Sequence, residues 1–253
     1  MPCLDSRGKK IQHKFQHKHQ QKDKCTQKSR RYKVAGSHTV NHTGDHWNAR
    51  TPPGFLFSAK VPQVITHEKM LLDCDQDLNH FLKTMEALGN KLGPLLFQFG
   101  YFNQMVFKTQ ADFLALLKPF LKKLPKDHQF ALEIRNKHWL DARFADVLRE
   151  SNVALTLIDQ SWVPRPWERK NHFDLVTADF TYVRWLGDRQ AIEEQTKSWD
   201  KLRVDRSEDL ANWVALFRQF VGRNLKTLAY ANNHYAGHGP GTIKLFWDLW
   251  NKK

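Results

Sequence analysis

Short apolar runs that end on charged or amide side chains, separated by amphipathic stretches, leave this chain few architectures. From Arg50 onward the runs are "FLFSAK" (Phe55–Lys60), "LLFQF" (Leu95–Phe99), "FALEIR" (Phe130–Arg135), "VALTLID" (Val153–Asp159), "YVRWL" (Tyr182–Leu186) and "LKTLAYANN" (Leu225–Asn233). Their continuous apolarity suits strands buried on both faces, and such strands occur in parallel sheets covered by helices. The intervening stretches read as those helices. Asp75 to Leu88 puts Leu78, Phe81, Leu82, Met85 and Leu88 on one face before Gly89 stops it. "TQADFLALLKPFLKKL" opens on a capping-box pair, Thr109 and Asp112, and carries Pro119 as a potential kink. "DARFADVLRE", Asp205 to Val221 and "TIKLFWDLW", the last capped by Thr242, complete the set. The long stretch "LGDRQAIEEQTKSWDKL" reads as a loop able to act as a lid.

Strand–helix alternation of this kind predicts an α/β fold, either an open doubly wound sheet or a (β/α) barrel. No glycine fingerprint follows an early strand, which weakens the dinucleotide-binding version. Six strands are two short of a closed TIM-like barrel.

The strand ends carry the functional signal. Lys60 ends the first run and Gln98 nearly ends the second. Glu133 and Arg135 end the third, Asp159 ends the fourth, Arg184 sits in the fifth, and Asn232 and Asn233 end the sixth. In "ALEIR", residues 131, 133 and 135 share one face, so Glu133 and Arg135 point away from the apolar side. The alternation leaves open which of Asn232 and Asn233 faces inward. Singly, polar residues are ordinary where strands meet solvent. Six together point to a ligand site beyond the carboxyl ends of the strands, where parallel α/β folds bind ligands.

Lys60, Arg135 and Arg184 suit a phosphate, sulfate or carboxylate. Glu133 and Asp159 are the candidate general acid and base; a structural Glu133–Arg135 ion pair is the plainer alternative. Gln98, His138, Asn232, Asn233 and His234 are further substrate-contact candidates. Gly239 and Gly241 in "GHGPGT" would offer backbone N–H groups to an anion, or else belong to a flexible loop. Few histidines sit at strand ends, so a multi-histidine metal centre is not indicated. A carboxylate-held Mg²⁺ or Mn²⁺ remains open, and no cofactor is specified.

The net charge of +14 is concentrated in residues 1–50, with twelve Lys/Arg against three Asp/Glu. Residues 1–46 are Lys/Gln/His-rich with almost no apolar periodicity, and read as a disordered segment ahead of a domain at 47–253. Such a head attracts phosphates, which makes nucleic acid a candidate partner. His13, His17 and His19 have nothing around them to set a metal geometry. Three scattered cysteines, Cys3, Cys25 and Cys74, fit a reducing, cytoplasmic setting rather than a disulfide framework. No apolar run approaches membrane-spanning length, and no secretory signal is evident at the N-terminus.

Five blocks in order, "RTPPGFLFSAKVPQVITH", "KLGPLLFQF", "FALEIRNKHW", "YVRWLG" and "YANNHYAGHGPGT", resemble domain-of-unknown-function family 72, the YecE-like proteins. The resemblance runs from about Trp47 to the C-terminus. It implies a TIM-like (β/α) barrel and no established activity. Family members begin with a Gly-Thr-Ser-Gly-Trp-like strand and a Glu-Ile-Asn-Ser-Thr-Phe-Tyr-like strand, and neither is present here. The expectation is an incomplete barrel, six of eight βα units behind an unrelated head, as from a truncated or frameshifted gene. Three functional readings follow. One is a hydrolase or isomerase for an anionic small molecule, another a nucleic-acid-associated protein acting through the head, and the third a non-functional gene product.

Overall fold

The structure, a computed structural model, describes residues 47–169 and 172–252. The expectations for residues 1–46, including disorder, nucleic-acid binding and the histidines 13, 17 and 19, lie outside the described residues.

Six parallel strands pair strictly in chain order: β1 (Phe57–Lys60), β2 (Leu92–Gln98), β3 (Phe130–Glu133), β4 (Val153–Asp159), β5 (Phe180–Trp185) and β6 (Lys226–Ala231). Among the described residues β1 and β6 are the two ends of the sheet. The helices are α1 (Asp75–Met85), α2 (Gln110–Lys122), α3 (Ala142–Arg149), α4 (Pro166–Arg169), α5 (Arg189–Gln195), α6 (Ser207–Gly222), α7 (Asn233–Ala236) and α8 (Gly239–Trp250). The expected α/β class and strand count are therefore present, as a curled half-barrel.

Each strand has two faces of different character. Phe97, Leu132, Val183 and Trp185 are buried on the helix-facing side, with Phe113, Leu117 and Phe120 of α2 and Trp213, Phe217 and Phe220 of α6 in the same core. The aromatic pairs set the spacing: Phe97 meets Phe120 edge-on at 5.4 Å, and Trp185 stacks on Phe217 at 6.1 Å. A separate cluster of Leu96, Ala131, Ala154, Phe180 and Tyr182 lines the inner face.

The inner face curls far enough for β5 to touch β1. The Ser58 hydroxyl donates to Pro94 O at 2.6 Å, so its proton is already used. The 2.8 Å contact between Ser58 Oγ and Tyr182 Oη is therefore donated by the tyrosine. Tyr230 stacks on Tyr182 at 4.9 Å.

One local expectation holds and others change. The α2 capping box forms, with Asp112 N donating to Thr109 Oγ1 at 3.3 Å and Thr109 N to Asp112 Oδ2 at 2.9 Å. Thr242 does not cap α8. The helix begins at Gly239 with Pro240 in its first turn, a position where a missing N–H costs nothing, and Thr242 lies inside and donates to His238 O at 3.0 Å. The "GPGT" part of "GHGPGT" is thus helical, Gly237 and His238 link it to the preceding "NHYA", and that segment is the short α7. The supposed lid loop contains α5, capped by Asp188, whose Oδ1 accepts from Ala191 N at 3.1 Å.

Burial pushes the Tyr182 hydroxyl up to about 12, from an ordinary value near 10. The fold thus favours the neutral phenol. Its contribution is present below about pH 10 and is lost as pH rises through about 12. Absorbance titration of tyrosinate should show this late component, and Tyr182→Phe should remove it. The same substitution should lower unfolding free energy at neutral pH by about 1 kcal/mol in urea denaturation.

Candidate functional site

Glu133 is the fixed point at the carboxyl end of the inner face. It has no solvent exposure. An isolated carboxylate there would be prohibitively costly, so both of its oxygens are engaged. Oε1 accepts from Arg135 Nε at 3.3 Å and Nη2 at 3.2 Å, and Oε2 accepts from Arg184 Nη1. The two guanidinium side chains are 26% and 12% exposed. Strand pairing explains the meeting. Glu133 is in register with Gln98 on β2, while Arg184 lies two residues beyond Tyr182 on the same face of β5.

Lys60 extends this cluster. Its Nζ donates to Gln98 Oε1 at 3.0 Å, and among the described residues it makes no ion pair. Burial holds its pKa below the usual lysine value, and the charges of Arg184 and Arg135 push the same way, against Glu133. The local charge is one carboxylate against three cations.

His67 belongs to the same neighbourhood and was not singled out from the sequence. It sits on the π-helical turn Val64–Glu68 that follows β1, with Nδ1 2.7 Å from Thr66 Oγ1. Burial lowers its pKa first, followed by the charges of Arg135 and Lys60. The only sequence signal was its place in the segment leaving the first strand end. Ser58 and Tyr182, which form the floor below the cations, were also missed.

The remaining candidates lie elsewhere. Asp159 is in register with Trp185, and like it faces the helices rather than the inner side. Its Oδ2 accepts from Trp213 Nε1 at 2.7 Å and Tyr235 Oη at 2.9 Å, while Arg165 pairs with Oδ1. Burial raises its pKa, opposed by the Trp213 hydrogen bond and the Arg165 charge. His138 is exposed on the 3₁₀ turn Lys137–Trp139, and Trp139 stacks on Phe113 at 5.6 Å.

Asn232, Asn233, His234, Gly239 and Gly241 form a second polar group after β6. Asn232 Oδ1 accepts from His234 N at 3.0 Å and caps α7. Asn233 Oδ1 accepts from Gly239 N at 2.8 Å. His234 Nε2 lies 3.1 Å from Glu193 Oε1, tying α7 to α5. The two glycines permit close approach. A Cβ on Gly239 would sit 3.0 Å from Ala231 O, and one on Gly241 would sit 2.9 Å from His238 Nδ1. The structure thus gathers Lys60, Gln98, Glu133, Arg135 and Arg184, and leaves Asp159, His138 and the group after β6 outside that contact network. No group of three or more His, Cys, Asp or Glu suited to a metal ion occurs among the described residues. Nor is any described helix long and apolar enough to cross a membrane.

Residues 38–253 match a family model described as "Protein of unknown function DUF72". The chain is 29% identical over 90 residues to the UPF0759 protein YecE of Escherichia coli strain K12. That match covers 36% of this chain and 31% of the E. coli protein. A DUF72 family crystal structure from Thermotoga maritima MSB8 superposes with TM-score 0.61 at 22% identity, covering 86% of this chain and 80% of that one. Another from Enterococcus faecalis V583 gives 0.62 at 18% identity, with 84% and 85% covered. These two likenesses concern the fold.

Removing the central carboxylate leaves two partly buried guanidinium groups without the acid that both bond. Glu133→Ala should lower unfolding free energy by about 3 kcal/mol or more, read from urea denaturation midpoints at neutral pH.

Proposed function

The chain belongs to the DUF72 family, and from that premise we propose that it is a cytoplasmic enzyme, a hydrolase or isomerase, for an anionic small molecule bound on the inner face of the curled sheet. One observation carries this reading. Three cationic side chains, Lys60, Arg135 and Arg184, surround a single carboxylate whose two oxygens are already engaged by the arginines. The unbalanced positive charge lies at the carboxyl end of the strands, where a bound anion would restore neutrality.

The residue roles divide by face. Glu133 orients the two guanidinium groups, and its engaged oxygens make it a poor free base. Lys60 and Gln98 supply contacts at the open side. His67, held neutral by burial and by its cationic neighbours, is the better candidate for proton exchange. Asp159, enclosed by Trp213, Tyr235 and Arg165, supports the helix packing behind the site. The group Asn232–His234 with Gly239 and Gly241 shapes the neighbouring rim through its own hydrogen bonds.

Isothermal calorimetry with inorganic phosphate at low ionic strength tests the reading. Wild-type protein should bind, and Lys60→Gln and Arg184→Gln should each weaken binding about 10-fold or more, the expected loss of one charged hydrogen bond. Absence of phosphate and carboxylate binding to the folded wild type would overturn it.

A further inference from the structure

Lys60 differs from an ordinary anion-binding lysine in its partners. Among the described residues the carboxylate in its neighbourhood is that of Glu133, which is fully buried with Oε1 and Oε2 occupied by Arg135 and Arg184. What remains for the Lys60 amine is the neutral amide oxygen of Gln98 at 3.0 Å. Among the described residues the ammonium form therefore has no counter-ion of its own, and the two guanidinium groups repel it. The residue is exposed to solutes at the strand end, and its partial enclosure there is what lowers the pKa of the amine. A lysine placed beside other cations, without a paired carboxylate, is the arrangement that makes a neutral amine nucleophile near physiological pH.

We propose that Lys60 is an imine-forming nucleophile for a small carbonyl compound that also carries a carboxylate or phosphate. This rests on the anion-site reading above, because Arg135 and Arg184 would hold the anionic group while the carbonyl meets Lys60 Nζ. The burial-lowered pKa of Lys60 agrees with the geometry.

The step balances without an external oxidant or reductant. The Lys60 ammonium first gives up a proton. The amine nitrogen attacks the carbonyl carbon, a C–N bond forms, and the carbonyl electron pair moves to oxygen, which takes up a proton. A second proton transfer to that oxygen lets the C–O bond break and water leave. Counted from the ammonium and the carbonyl, the products are one protonated imine and one water. The protonated imine draws electrons from the adjacent carbon, the feature that isomerisation beside a carbonyl requires.

Reductive trapping tests this. The full-length protein is incubated with glyoxylate and sodium cyanoborohydride near pH 7, and carboxymethyl-lysine is mapped by peptide mass spectrometry over time. Lys60 should be modified about 10-fold faster than the mean of the surface lysines, the gain expected when one charged hydrogen bond holds the carboxylate of the aldehyde beside it. Inorganic phosphate should slow Lys60 alone, and propanal, which lacks an anionic group, should show no such preference. Lys60→Arg should lose the fast phase with the remaining lysines unchanged. Modification of Lys60 at the surface-lysine rate overturns the imine inference. If calorimetry still shows phosphate binding in that case, the anion-site reading stands; if neither occurs, both fall.

Discussion

The carboxylate of Glu133 is the interaction around which the inner face is organised. A buried negative charge has to be met in place by donors, and the donors come from different positions in the chain, Arg135 just beyond β3 and Arg184 on β5. Meeting it fixes the direction of both guanidinium groups. Meeting it twice also leaves the neighbourhood positively charged, because among the described residues Lys60 then bonds an amide oxygen and no carboxylate. One structural necessity, satisfying a buried acid, thus produces the electrostatic character from which a function can be argued.

Asp159 performs a comparable task on the opposite side of the sheet. It is enclosed by Trp213 of α6, Tyr235 of α7 and Arg165 of the loop after β4. Arg165 also approaches Asp209 at 3.6 Å, and Arg206 bonds Asp209 at 3.2 Å and the carbonyl of Tyr235 at 3.1 Å. The helices behind β4 and β5 are therefore joined by a polar network set inside an aromatic layer. The two acids divide between the layers, one ordering the inner face and the other securing the helices against the sheet.

The alternation rule made part of this legible. In "ALEIR" it separates Glu133 and Arg135 from the apolar face, and the structure brings both to the inner side. Applied to "VALTLID" the same rule places Asp159 with Val153, Leu155 and Leu157, away from Ala154 and Thr156, so its helix-facing position was available from the chain. The group after β6 was harder. Thr242 resembles a cap, but Pro240 fits the first helical turn so well that the helix begins earlier. Ser58, Tyr182 and His67 were not readable, because their meeting depends on how tightly the sheet curls and on an irregular turn after β1. Neither property leaves a periodic trace in one sequence.

The Ser58–Tyr182 hydrogen bond spans 124 residues. Closing an unstructured loop of that length costs about 4 kcal/mol in chain entropy, whereas a neutral hydrogen bond returns about 1 kcal/mol. The contact cannot bring the two strands together by itself. It forms once the successive neighbour pairings from β1 to β5, with the twist each adds, have already carried the ends into reach. The inner floor is accordingly held by the whole run of strand pairings rather than by its own hydrogen bond.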